Sequence, residues 1–306
     1  MALNTSAKWI IGIVTVLGAL AVLFVLSVVA LFSGGGAEEE TISYGSGGKI
    51  ALVELNVPIL SSEEVVRQFR KYRETPGVKA IVLRVDSPGG GVSASQEIYE
   101  EVKKTRDGGK PVVVSMGSVA ASGGYYVACG ADRIMANPGT LTGSIGVIFQ
   151  FLQFEELMKR VGVEASTFKS GELKDIGSPF RKTTPREREY FAGLVNDVYD
   201  QFVNVVSRER NLSLAYVKKY ADGRVFTGRQ ALAWGFVDTL GTYEDAIALA
   251  GSLGGIKGTP RTVRERKRRS LFEDLMGETV TDIVRLKEEI LHQPMLQYRM
   301  STPNER

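Results

Sequence analysis

Apolar and polar positions divide the chain into an uncharged run, a polar linker and a long body of alternating short patterns. Residues 9–32, from Trp9 through Phe32, carry no charged side chain. Roughly 20 apolar residues span a bilayer, so this run predicts a transmembrane anchor at 1–32 rather than the shorter core of a cleaved signal. Lys8 precedes it and Glu38-Glu-Glu40 follows it. The positive-inside rule then leaves the N-terminus cytoplasmic and the body outside, as a single-pass inner-membrane protein. Residues 33–48 are rich in Gly, Ser and Glu and read as a flexible linker.

From residue 49 the pattern changes. β-branched runs at 50–57, 78–85, 111–115 and 133–136 predict strands, and 163–169 is strand-like. Helical spacing marks 61–74, 93–104, 151–161 and 184–209, the last through Phe191, Leu194, Val198, Phe202 and Val205. A glycine-spaced β segment is expected at 140–148, and smaller elements continue to residue 252. Strands alternating with helices predict an α/β fold, a mostly parallel sheet with flanking helices and right-handed crossovers, over 49–255. The charged opening Pro185-Arg-Glu-Arg-Glu189 predicts a surface first turn. Residues 256–306 hold a basic cluster at 261–269 and a helical pattern at 270–291. They read as a solvated, partly ordered tail, with contact to anionic lipid or a neighbouring subunit as the second reading.

Composition narrows the chemistry. A net charge of +3 gives no argument for nucleic acid, and a single cysteine excludes an internal disulfide. Cys129 is expected to pack as a small hydrophobe. No Cys/His cluster offers metal-ligand spacing, and no cofactor is called for. The one histidine, His292, lies in the polar tail, so a Ser-His-Asp triad would need that tail to fold back over the site.

The region around Ser122 carries the candidate chemistry. The strand at 111–115 leads into small residues and then Ser122-Gly-Gly-Tyr-Tyr126, so the serine would stand where strand turns into helix. Unpaired N–H groups at a helix start favour a developing negative charge. Gly89-Gly-Gly91 and the segment around Ser144 would leave the same carboxyl edge of the sheet, where sites of such folds lie. The triple glycine could donate N–H groups to an oxyanion or form only a tight turn. It lacks the Gly-Lys-Ser/Thr ending of a phosphate loop. Lys174 sits between glycine and proline punctuation and, by spacing alone, is one of many lysines. As a base near neutral pH, a lysine must titrate about three pH units below its ordinary value near 10.4.

Four motifs together resemble the signal peptide peptidase A (protease IV) family: Asp86-Ser-Pro-Gly-Gly-Gly-Val92, Ser118-Val-Ala-Ala-Ser-Gly-Gly-Tyr-Tyr126, Thr142-Gly-Ser-Ile-Gly-Val147 and Ser170-Gly-Glu-Leu-Lys-Asp-Ile-Gly-Ser-Pro179. Gly223-Arg-Val-Phe-Thr-Gly-Arg-Gln-Ala231 and Gly235-Phe-Val-Asp238 resemble it too. The resemblance implies a membrane-bound serine endopeptidase on the fold shared by Clp protease and crotonases. It implies Ser122 as nucleophile, Lys174 as general base and Ser144 as the residue holding the lysine. It further implies an oxyanion hole from Gly89, Gly90 or Gly91 with Gly123. Extended apolar peptides, released signal peptides among them, would be the substrates, and copies would assemble into a ring or dome. The rivals are a crotonase-like acyl-CoA enzyme and a catalytically silent membrane scaffold of the same fold.

Overall fold

The computed structural model describes residues 47–267 and 296–300, residue 45, and the short stretches 17–18, 20–24 and 37–41. The chain falls into two compact units, residues 1–40 with 265–291, and residues 41–264 with 292–306. The first contains helical residues 17–18 and 20–24 and most of strand β1 (Ala37–Thr41). The rest of the 9–32 run lies outside the described residues. Among the described residues no helix is long and apolar enough to cross a membrane.

The second unit carries the main sheet. Its first strands are β2 (Lys49–Leu55) and β3 (Val78–Ser87), separated by helix α1 (Glu63–Glu74). After β3 come a three-residue strand β4 (Gly89–Gly91), helix α2 (Val92–Asp107), strand β5 (Val112–Ala121) and the six-residue helix α3 (Gly123–Ala128). Strands β6 (Arg133–Ala136), β7 (Leu141–Gly143) and β8 (Ile148–Phe149) follow, then helices α4 (Glu155–Arg160), α5 (Pro185–Glu209) and α6 (Leu214–Tyr220). The unit closes with β9 (Val225–Thr227), α7 (Gly228–Ala233), β10 (Thr239–Leu240), α8 (Tyr243–Leu253), the first four residues of β11 (Arg261–Lys267) and β12 (Leu296–Arg299).

Parallel pairing runs through β11-β2-β3-β5-β6-β10, and β7 joins the far end of β5. A separate antiparallel sheet has the order β4-β12-β8. Alternate side chains of a strand point to opposite faces, and the core follows that rule. Ile50, Leu52, Ala80, Val82 and Val113 meet Ala246, Ile247 and Ala250 of α8 on one face. Ala51, Val53, Ile81, Leu83, Val112 and Val114 join the larger core with Phe69, Tyr99, Tyr126 and Phe202. Both faces are therefore covered, as a parallel sheet requires.

Several expectations change in detail. The third strand does not end at Ser115 but runs to Ala121, because β3 and β7 pair it to its last residues, with Ser87 opposite Ala120 and Gly143 opposite Ala121. Thr140 and Thr142 hydroxyls, donating to the Gly117 and Ala120 carbonyls at 2.7 and 2.6 Å, hold that extension. Residues 163–169 form no strand; every one of their side chains is exposed, and Phe168 is 99% exposed. The opening of α5 is not a surface turn throughout. Glu187 is buried, because it closes a capping box with Thr184 and binds Arg181 at 2.5 Å. The basic cluster at 261–269 begins as a sheet strand, residues 261–264 pairing with β2, with Thr262 and Val263 buried. The helical pattern at 270–291 lies outside the described residues.

Candidate active site

Ser122 terminates β5 and caps α3 with φ 53° and ψ −116°. A non-glycine residue held there stores on the order of 1–3 kcal/mol of strain, which persists only where neighbours enforce it. The enforcing contacts are visible. The Ser122 N–H donates to the Gly143 carbonyl at 2.7 Å, and its carbonyl accepts from Tyr126 N at 2.8 Å. Tyr125 anchors α3 from below by donating its hydroxyl to the Phe236 carbonyl at 2.8 Å. The result is a serine 1% exposed whose Oγ has no hydrogen-bond partner. Leaving a buried hydroxyl unpaired costs about 1–3 kcal/mol. An unpaired buried group at a strained turn is a feature that calls for an explanation beyond packing.

The glycines around it are required by close approach. A Cβ on Gly123 would lie 2.5 Å from Ser95 Oγ, and one on Gly124 3.0 Å from the Ser87 carbonyl oxygen. Gly89 has φ 97°, and a Cβ there would collide with the Tyr298 carbonyl and lie 2.6 Å from Gly123 N. The glycine strand and Gly123 are thus brought together. Their N–H groups are not equivalent. Gly91 N donates to the Ile59 carbonyl at 2.7 Å, Gly90 stands opposite Tyr298 in the β4–β12 pairing, and Gly89 N reaches Ser87 Oγ at 3.2 Å.

Ser144 arrives from the other side. It too has positive φ, 51°, with its N–H donating to the Arg224 carbonyl at 2.8 Å, and it is 6% exposed. It follows Gly143, the residue that holds Ser122 N, so the two serines flank one hydrogen bond. Ser144 opens onto a cavity of about 860 Å³ lined by Val147, Ile148, Val195, Tyr199, Val225 and Met300, with Asp222 and Arg224 also in its wall. That wall, drawn from α5, the 221–225 loop and residue 300, was not legible in the sequence. Its only signal was the apolar face of the 184–209 helix.

Lys174 is not part of this cluster. Its side chain is exposed, within a segment whose residues 161–172 are all exposed, and Ser122 Oγ accepts nothing from it. Neighbouring charges pin the segment: Asp175 binds Lys169 at 2.7 Å and Arg181 at 2.8 Å. The hydrogen bond from the Arg181 guanidinium, opposed by burial, brings the Glu187 carboxyl down to about 2. Cys129, the residue that caps the end of α3, is buried, and desolvation pushes its thiol up to about 12, which fits the small-hydrophobe expectation.

Residues 104–257, half of the chain, match the model of peptidase family S49, and residues 50–141 match that of Clp protease. A putative protease of Synechocystis sp. is 43% identical over 249 residues, covering 79% of this chain and 90% of the relative. A putative signal peptide peptidase SppA of Enterococcus faecium is 40% identical, over 68% of this chain and 65% of its own. Protease 4 of Salmonella typhi is 39% identical over 69% of this chain, which spans only 36% of that longer protein. The two family matches together run from residue 50 to residue 257 and include Ser122 and the 170–179 motif. The chain belongs to peptidase family S49, the signal peptide peptidase A (protease 4) family.

Proposed function

We propose that this chain is a membrane-anchored serine endopeptidase that degrades released signal peptides and other extended apolar peptides, with Ser122 as nucleophile. The observation that carries the reading is the unpartnered, buried Ser122 hydroxyl on a strained strand-to-helix turn. The Gly89–Gly91 turn and Gly123 would supply the oxyanion donors, since a Cβ on Gly89 would lie 2.6 Å from Gly123 N and one on Gly123 3.2 Å from Gly90 N. The apolar cavity beside Ser144 receives a side chain next to the cut bond.

Lys174 is proposed as the base on the family motif alone. In the acylation step it would take the Ser122 proton as Oγ attacks the peptide carbonyl, return it to the departing amine, and then activate the hydrolytic water. Ser144 would hold its amine. Since Lys174 is exposed in the single chain, the 163–183 segment must close over Ser122, in its own chain or from a neighbouring copy. Exposed Leu157, Val161, Phe168 and Phe180 favour self-association of this arm, because apolar surface of that extent is seldom left uncovered. The uncharged run at 9–32 is proposed as the anchor, with the body extracytoplasmic.

The test is cleavage of fluorogenic apolar peptides by the full chain in detergent, beside Ser122→Ala and Lys174→Ala. Both variants should lose activity while keeping the circular-dichroism spectrum. Mixing the two inactive variants restores cleavage if the lysine comes from a neighbour and not if it comes from the same chain. Activity surviving Ser122→Ala would refute the proposal.

A further inference from the structure

The two ends of the parallel sheet differ in charge. The amino ends of β2, β3, β5, β6 and β11 lie along one edge, since Lys49 pairs with Val78 and Arg261, Ile81 with Val112 and Val113 with Arg133. Helices α1 and α2 return the chain to that edge and carry Lys71 and Arg73, and Lys104 and Arg106, in their last turns. Cations suit a helix C-terminus, but this edge holds more of them than its helices ask for. Lys79, Lys110, Arg133, Lys257 and Arg261 stand at strand starts or in connecting loops, outside any helix.

Most acids of the edge are already engaged. Glu101 binds Arg73, Asp107 binds Lys103 at 3.2 Å and Arg106 at 2.9 Å, and Asp132 accepts from Val112 N at 2.8 Å. Among the described residues no ion pair neutralises Lys79, Lys104, Arg133, Lys257 or Arg261, all of them exposed; Glu74 adds one exposed acid. Lys110 donates to the Thr75 carbonyl at 2.9 Å. Burial, and then the charges of Lys79 and Arg73, hold its ammonium below the ordinary lysine value. The opposite edge, where Ser122 ends β5, is acidic by comparison: α1 and α8 open there with Glu63-Glu64 and Glu244-Asp245.

The chain enters the body at the basic edge. Gly47 N donates to the Thr259 carbonyl at 3.2 Å, and Arg261 N to the Gly48 carbonyl at 3.1 Å. If 9–32 is the anchor, residues 33–44 tie this edge to it by a stretch that reaches at most roughly 40 Å. Lysines and arginines near a bilayer are drawn to anionic headgroups within a Debye length, about 8–10 Å at physiological salt. We propose that the basic edge of the sheet docks on anionic phospholipid headgroups and holds the body on the bilayer with the Ser122 edge turned away. The orientation rests on the anchor reading; the lipid contact does not. A peptide then reaches Ser122 only after it has left the membrane.

Two glycines supply sites for a fluorescent label. A Cβ at Gly77, on the basic edge, or at Gly139, on the opposite one, meets nothing within 4 Å. Full chain carrying Gly77→Cys or Gly139→Cys would be reconstituted into vesicles containing a rhodamine lipid, then reacted with a fluorescein maleimide that does not cross the bilayer; Cys129 is buried. In mixed phosphatidylglycerol–phosphatidylcholine vesicles, energy transfer from residue 77 should exceed that from residue 139 at least about twofold, because the edges stand roughly 25 Å apart. The excess should be lost in phosphatidylcholine alone and in the triple variant Lys79→Glu, Lys104→Glu, Lys257→Glu, with the circular-dichroism spectrum kept.

Equal transfer from both labels, or an excess that persists in neutral vesicles or in the triple variant, overturns the proposal. Flotation separates it from the anchor reading. Chain that floats with anionic vesicles only, and not as the triple variant, upholds the basic edge and refutes the anchor. Chain that floats with both kinds but shows no excess upholds the anchor and refutes the edge. If the triple variant keeps the excess and loses self-association in light scattering, the edge binds another copy and the proposal falls.

Discussion

Ser122 combines a positive φ with an unpaired buried hydroxyl, two costs that serve no purpose in packing. Removing both should stabilise the chain while ending its chemistry. Ser122→Gly is expected to gain about 1 kcal/mol in a denaturant titration, since glycine adopts this φ freely and has no hydroxyl to desolvate. The same variant should cleave nothing. Gly89 makes the opposite case. Alanine there is strained by φ 97° and meets backbone atoms of Tyr298 and Gly123, which cannot swing aside. Gly89→Ala should cost about 2 kcal/mol or more and abolish cleavage, read by the same titration and a peptide assay.

At the scale of elements, the segment bearing Lys174 is held to α5 through Asp175, Arg181 and Glu187. Glu187 titrates near 2 when folded, against about 4.3 for an unperturbed glutamate. A lowered carboxyl contributes stability that is present above the unfolded value and lost as pH falls through the folded one. Protease nicking of 163–183 should therefore rise between about pH 4.3 and about 2. In Glu187→Gln the nicking should be raised already at pH 7 and lose that acid step. An unchanged acid step in Glu187→Gln would assign it to other carboxylates. The capping box that buries Glu187 was readable as Thr184 followed three residues later by Glu187, yet the charge-rich opening reads equally as solvent-facing. Arg181 decided between them, and a pairing across a loop leaves no periodic trace. For the same reason the strands at β2, β3 and β6 were legible from β-branched runs, whereas the extension of β5 depended on partners distant in sequence. Ser122, Ser144 and the glycines were legible as motifs. Tyr298 and Met300 were not, because five residues in a polar tail announce no partner.

For the whole molecule, residues 148–183 expose a run of apolar side chains, with Leu152, Leu157, Val161 and Phe168 each more than half exposed. We expect copies to associate through this arm. Light scattering on the full chain in detergent should give a mass several times that of one chain. Phe168→Asp combined with Leu157→Glu should reduce it to that of one chain. If Lys174 is supplied by a neighbour, the dissociated form should also lose cleavage; if it is supplied in the same chain, cleavage should persist. A single-chain mass for the unsubstituted protein would exclude the ring or dome.

The most direct measurement of the central claim is capture of the covalent intermediate. Full chain turning over an apolar peptide ester would be quenched in acid, digested and mapped by mass spectrometry. The account predicts the acyl half of the substrate on the fragment containing Ser122, and on no other. Turnover with the acyl group on a different residue, or with none on Ser122, would contradict it.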